Sequence, residues 1–200
     1  MIIDNVKNID ELNAVLETVK KIFPDSSIDY DGEGKYSRKF WIEQLNKLPE
    51  LLLYAKSDDK ICASVFAWED NNSITVAHCG VLEEYHRKGI GKALVLEIEK
   101  RIKNLGYDSI ALGSVENVEK FYEKLGYIGS LLIQSDSHSI ETLKAFNERG
   151  KNYKILWTNL YEGTISQICL KVPVADRELQ KKYENTFDNC WTQMIYGKKL

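Results

Sequence analysis

From Ile9 to Phe23 apolar residues recur every three or four positions (Ile9, Leu12, Val15, Leu16, Val19, Ile22), which is the spacing of one buried helix face, and Pro24 ends the run. Met1 to Val6 ahead of it reads as a short strand. Pro24 to Lys35 is rich in Asp, Ser and Gly and reads as a loop, and a second helix is expected from Tyr36 to Leu48, closed by Pro49. The pattern then changes to short apolar runs, Leu51 to Lys56, Ile61 to Trp68 and Ile74 to Leu82. Polar connections at 57–60 and 69–73 make these three strands joined by hairpins. Helical spacing returns after Gly89 (Ile90, Leu94, Ile98, Ile102, Leu105) with Gly106 as a left-handed cap. A strand over Tyr107 to Leu112, a helix over Val115 to Leu125 capped by Gly126, and a strand over Tyr127 to Gln134 follow.

The remaining pattern predicts a helix over Ser139 to Asn147 and a hairpin of Tyr153 to Leu160 with Gly163 to Val172 around Tyr161-Glu162. A helix over Asp176 to Glu184 and a last strand over Trp191 to Tyr196 complete it. Counted from the strand at 128, the order is β-α-β-β-α-β, that of a small ferredoxin-like unit. We therefore expect a mixed α/β (α+β) chain with two parts, residues 1–135 and a small C-terminal α+β domain over 136–200 that shares the strand at 128–134.

At 200 residues, 44% hydrophobic and 28% charged, the composition is that of an ordinary soluble globular protein. A net charge of −3 gives no reason to expect nucleic acid or a membrane surface as partner, and no apolar run is long enough to span a bilayer. The N-terminus lacks a signal-like core, so a cytoplasmic location is expected. Cys62, Cys79, Cys169 and Cys190 stand far apart without histidines at zinc-ligand spacing, so free thiols and no metal are expected.

Candidate chemistry concentrates where the strand ending at Val81-Leu82 runs through Glu83-Glu84-Tyr85-His86-Arg87-Lys88-Gly89-Ile90-Gly91-Lys92 into a helix. The first turn of a helix presents amides without intrahelical partners and the positive end of the macrodipole, so an anion is stabilised there. Gly89 and Gly91 allow close backbone approach, and Arg87, Lys88 and Lys92 add charge. The spacing does not fit a Walker phosphate loop, and the dinucleotide fingerprint would need a third small residue where Leu94 stands. His86-x-x-Gly89-x-Gly91 closely resembles the Arg/Gln-x-x-Gly-x-Gly/Ala motif with which the GNAT acyltransferase superfamily holds the pyrophosphate of acetyl-CoA. His86 departs from the usual Arg or Gln.

A second block strengthens the resemblance. Glu116-Asn117-Val118-Glu119-Lys120-Phe121-Tyr122-Glu123-Lys124-Leu125-Gly126-Tyr127 is similar to the other GNAT signature, an Asn followed five residues on by a Tyr, with the helix closing on Leu-Gly-Phe/Tyr. The two blocks stand in the family's order and separation, and the resemblance covers roughly residues 1–135. It implies the GNAT fold, acetyl-CoA as co-substrate, and an N-acetyltransferase whose amine acceptor attacks the thioester directly.

By the same resemblance, a splayed pair of strands receives the pantetheine arm. Backbone amides around Val81 and Leu82 bind the thioester carbonyl, residues 86–92 (His86, Arg87, Lys88, Gly89, Ile90, Gly91, Lys92) hold the phosphates, and Asn117 bonds the pantetheine or nearby main chain. Tyr122 matches the tyrosine that protonates the leaving thiolate; a phenol near pKa 10 is protonated at neutral pH, and transfer to a thiolate of about 8.5 is modestly uphill. Tyr122 packing beside Phe121 and Leu125 as helix core is the competing expectation. The position where some relatives carry a Glu base aligns with Thr75, which cannot serve; His78 on the same strand is the candidate base, with Glu69, Glu83 or an ordered water as alternatives. The loop holding Asp25, Asp29, Tyr30, Asp31 and Glu33 is expected to border the acceptor site and to favour a cationic small-molecule or peptide amine. The rival reading is a non-catalytic acyl-CoA sensor, and a homodimer through an exposed edge at Trp191 to Tyr196 is a further expectation.

Overall fold

The computed structural model describes residues 1–26, 28–70 and 73–200. Ser27 of the expected loop and Asn71 and Asn72 of the expected hairpin connection lie outside the described residues. The described chain forms six α-helices and nine strands in two compact units, residues 1–110 with 199–200, and residues 111–198.

In the first unit β1 (Ile2–Asn5), β2 (Leu52–Ser57), β3 (Lys60–Asp70) and β4 (Ser73–Val81) pair in sequence order, each antiparallel to the next. Helix α1 (Ile9–Ile22) starts where the Asn8 side chain accepts the Glu11 N–H at 2.9 Å. Of its predicted apolar face, Leu12, Val15, Leu16 and Val19 are buried against Leu52, Tyr54 and Phe66 of the sheet, while Ile9 in the first turn is exposed and Ile22 half-buried. Each such side chain contributes about 2 kcal/mol of burial. Helix α2 (Arg38–Lys47), capped by Ser37, adds Trp41 and Leu45 to the same cluster. Helix α3 (Ile90–Asn104) packs on β2, β3 and β4 through Ile90, Leu94, Val95, Ile98 and Ile102, none of which belongs to that cluster. Strands β2 and β3 are thus covered on both faces, which is why they read as apolar runs rather than alternations.

One irregularity positions the candidate site. Phe66 stands opposite His78 and Ala67 opposite Val76, so Ala77 is an extra residue on β4. Such a bulge bends the strand and re-aims the side chains around it. Just beyond, Gly80 meets the end of α1. A Cβ there would lie 2.5 Å from Ile22 Cγ2 and 2.8 Å from the Phe23 ring, so only glycine allows this close approach.

Strand β5 (Ser109–Ser114) spans the division between the units. The second unit continues with helix α4 (Glu119–Lys124), β6 (Ile128–Ser135), α5 (Ile140–Arg149), β7 (Ile155–Tyr161), β8 (Ile165–Leu170), α6 (Arg177–Thr186) and β9 (Cys190–Lys199). Its strands run in the order β5-β9-β6-β8-β7, and the β9-β6, β6-β8 and β8-β7 pairs are antiparallel. Numbering its last four strands from β6, the order is 4-1-3-2, that of the ferredoxin-like unit anticipated from the sequence.

The compact units divide at Ile110/Ala111, with β6 inside the second. Three expectations change. Trp191 to Tyr196 is no edge, because β9 pairs along its length with β6 and has β5 on its other side; the outer strand is β7. The helix over 115–125 is interrupted: Glu116–Val118 is a 3-10 turn, Val118 leaves helical geometry, and α4 starts without a side-chain cap. The β7–β8 turn falls on Glu162-Gly163, both at positive φ, one residue past the expected place.

Candidate functional site

After β4 the chain makes a 3-10 turn over Glu83–Tyr85 and reaches α3 through two left-handed residues, Arg87 (φ 60°) and Gly89 (φ 79°). Gly89 is the N-cap of α3 and offers no side-chain oxygen to its first turn. The first intrahelical bond runs from Ala93 N–H to Gly89 O, so the amides of Ile90, Gly91 and Lys92 have no partner in the helix. The ion pairs of α3 lie further along, where Glu97 holds Lys100 and Arg101. Among the described residues no carboxylate neutralises Arg87, Lys88 or Lys92, and Lys88 lies 4.8 Å over the Tyr85 ring. Three open amides and three cations therefore face one turn, an arrangement suited to a di- or polyphosphate.

His86 acts differently from the Arg or Gln of the motif. Its Nε2–H donates to Val81 O at 2.8 Å and braces the turn against the end of β4. The two amides expected at the thioester also separate. Leu82 N–H donates to Cys62 O at 2.9 Å and is committed to the ladder. Because bonded pairs alternate along an antiparallel ladder, the Ala63–Val81 pair is a non-bonded one, and Val81 N–H points away from β3. Of the two expected amides, Leu82 is therefore taken by the ladder and Val81 is clear of it.

His78 stands beside the bulge in a ring of aromatics, 4.8 Å from Phe66, 6.1 Å from Trp41 and 6.2 Å from Phe23 between ring centroids, and Nε2 lies 3.1 Å from Ser64 Oγ. Removal from water disfavours the imidazolium and pulls its pKa down to about 3. A neutral imidazole of that strength hydrogen-bonds but does not store a proton near neutral pH, which argues against the expected general base. Glu69 is no substitute, since Lys47 at 2.8 Å and Tyr107 hold its carboxyl below the usual range. Glu83 is exposed on the 3-10 turn.

The acidic loop is largely compensated. Asp29 Oδ1 accepts the N–H groups of Asp31 and Gly32, Asp31 pairs with Arg38 at 3.4 Å and Glu33 with Lys39 at 3.2 Å. Tyr30 belongs to the buried cluster with Lys20 over its ring, and Asp25 is exposed.

In the second unit Asn117 is exposed within the 3-10 turn before α4. Tyr122 is buried, its ring 5.1 Å from Phe121, 5.6 Å from Tyr127 and 6.1 Å from Tyr196. Burial and Glu123, which accepts the Tyr196 O–H, push the Tyr196 phenol up to about 12. Glu119, also buried, is held at 2.5 Å by Arg177 of α6. Sequence reasoning missed Ser64, Ala77 and the aromatic wall of Trp41, Phe66 and Trp68. Their relation to His78 depends on strand register, and the one local hint was the density of aromatics in 36–41 and 66–68. Among the described residues no group of three or more His, Cys, Asp or Glu is placed to hold a metal, and no helix is long and apolar enough to cross a membrane.

A bulged strand leading through a glycine-capped basic turn into a helix, within this mixed α/β architecture, is a fold of the acyltransferase kind. The Acetyltransferase (GNAT) family profile matches residues 13–127, more than half of the chain, and the chain belongs to that family. A curated relative from Bacillus subtilis (strain 168), "Uncharacterized N-acetyltransferase CgeE", is 23% identical over 126 residues; the match takes in 60% of this chain and 48%, about half, of the relative's length. Among solved structures, aminoglycoside 6'-acetyltransferase type Ii superposes with a TM-score of 0.55 at 18% identity, covering 100% of this chain and 97% of that one. The PaiA N-acetyltransferase of Thermoplasma acidophilum, in complex with coenzyme A, gives 0.51 at 20% identity, covering 86% and 100%. Both are likenesses of fold.

Proposed function

We propose that this chain is an acetyl-CoA-dependent N-acetyltransferase that moves an acetyl group to a primary amine by direct attack on the thioester. The observation that carries the reading is the Gly89 turn at the end of a bulged strand, where among the described residues three amides have no partner and three cations no carboxylate. That cradle fits the pyrophosphate of coenzyme A, and the coenzyme A held by the PaiA protein of like fold supports it.

Acetyl-CoA supplies an acyl group activated as a thioester. In the proposed reaction the amine, entering neutral, forms a C–N bond as the C–S bond breaks, and its surplus proton passes to water because His78 is too weak a base to keep it. Val81 N–H donates to the carbonyl oxygen as charge develops there. Arg87, Lys88, Lys92 and the amides of residues 90–92 hold the phosphates, and His86 fixes the turn. Asn117 and Tyr122 take the roles their motif implies, Tyr122 returning a proton to the departing thiolate. Thiol release measured over a panel of amines tests the reading. A Tyr122→Phe variant that binds acetyl-CoA normally but turns over at least tenfold more slowly supports the assignment, whereas an unchanged rate returns Tyr122 to the core. Binding of acetyl-CoA by the wild type without turnover of any amine would replace the enzyme with a sensor.

A further inference from the structure

The α1–α2 face of the first unit carries a group of aromatics that the phosphate turn does not use. Tyr36, Phe40 and Trp68 are each partly buried, with Tyr36 edge-on to Phe40 at 5.6 Å and Phe40 edge-on to Trp68 at 6.0 Å. The Lys35 ammonium is seated among them, 4.0 Å from the centre of the Trp68 ring and 5.6 Å from that of Tyr36. Two further observations single the place out. Tyr36 is held at φ 68°, a region bulky residues rarely adopt, so the backbone is strained to present this ring. The Trp68 indole N–H is buried and finds no hydrogen-bond partner among the described residues, unusual for a tryptophan, whose N–H normally finds one.

We infer that Tyr36, Phe40 and Trp68 form a subsite for a cationic nitrogen of the acceptor, and that Lys35 fills it when no acceptor is bound. A cation over a tryptophan face is attracted by the ring quadrupole, and partial burial strengthens the attraction. The subsite lies close to the bulge: Trp68 is two residues along β3 from Phe66, which stands opposite His78, a separation of about 7 Å. An acceptor anchored here by one ammonium directs its chain along β4 past the bulge. The acceptor class is therefore an aliphatic amine that carries a second, cationic nitrogen. The compensated acidic loop contributes little to this choice, since Asp31 and Glu33 already face Arg38 and Lys39.

The diamine assignment rests on the acetyltransferase reading; the cation subsite does not. The test is a titration of the full chain with tetramethylammonium chloride, and with neutral tert-butyl alcohol as control, following the ring resonances of Tyr36 and Phe40, which every variant retains. Lys35→Ala is expected to bind tetramethylammonium about fivefold more tightly than wild type, the size of one such contact. Trp68→Leu in that background abolishes binding, with circular dichroism confirming the fold; should it fail to fold, Trp68→Phe reports a weakening instead. Equal response to the alcohol, or no gain on removing Lys35, overturns the subsite. With turnover established, 1,5-diaminopentane is expected to show a KM at least fivefold below that of 1-aminopentane, an advantage lost in Trp68→Leu while kcat holds. Equal KM values overturn the acceptor class. If no amine is acetylated, the acetyltransferase reading fails while the titration still decides the subsite.

Discussion

The environment of His78 makes a quantitative prediction about acid. Its imidazole is held at a pKa of about 3, against 6.5 in an unfolded chain. Between those values the unfolded state binds a proton that the folded state refuses. The stability contribution is therefore intact above pH 6.5 and is lost as pH falls toward 3. At 1.36 kcal/mol per unit, lowering the pH from 6.5 to 5 removes about 2 kcal/mol. Carboxylates also titrate in acid, so the effect is isolated by comparison. Urea denaturation of wild type and His78→Gln at pH 7.5 and 5.0 is expected to show about 2 kcal/mol less loss in the variant, the amide keeping a partner for Ser64 Oγ. Turnover of the variant is expected to keep the wild-type pH profile. Equal acid sensitivity of the two proteins, or a His78 imidazole resonance titrating near pH 6.5, would refute the desolvation argument and restore His78 as a candidate base.

Gly89→Ala is expected to cost about 1 kcal/mol of stability and a few degrees in Tm, because a Cβ at this position meets nothing within 4 Å and only the left-handed conformation is penalised. Thermal denaturation checks it; a loss above 3 kcal/mol would mean a steric contact the structure does not contain. Arg177→Met leaves Glu119 buried without its guanidinium, and with Arg177 about one-third exposed a loss of about 2 kcal/mol is expected in denaturant unfolding. Unchanged stability would show that the pair is solvated. The Tyr122→Phe comparison completes the set.

Local chemistry made most elements legible. The apolar stripe and Asn8 cap of α1, the polar hairpin connections and the left-handed Gly106 and Gly126 all lie within a few residues of what they specify. The basic turn was legible for the same reason, since Gly89, Gly91 and the cations are consecutive. Features set by register were not. Ala77 becomes a bulge only because β3 fixes Phe66 opposite His78 and Ala67 opposite Val76. Whether Val81 or Leu82 has an open amide depends on which pair of the ladder is bonded, and a one-residue change would exchange them. His78 read as a base from its type, yet its chemistry is decided by Phe23, Trp41 and Phe66, brought together by packing. Likewise β9 looked like a free edge because strand order across a sheet leaves no trace in a short apolar run.

The central claim is that the turn at Gly89 holds the phosphates of acetyl-CoA, and calorimetric titration tests it most directly, with wild type, Gly89→Ala and Gly89→Glu compared. A carboxylate placed about 5 Å from a phosphate costs about 3 kcal/mol near a protein surface, on the order of a hundredfold in Kd. Gly89→Glu is expected to match Gly89→Ala in stability and to bind at least that much more weakly than it. Equal affinity of the Glu and Ala variants, or no binding of acetyl-CoA by the folded wild type, would contradict the account.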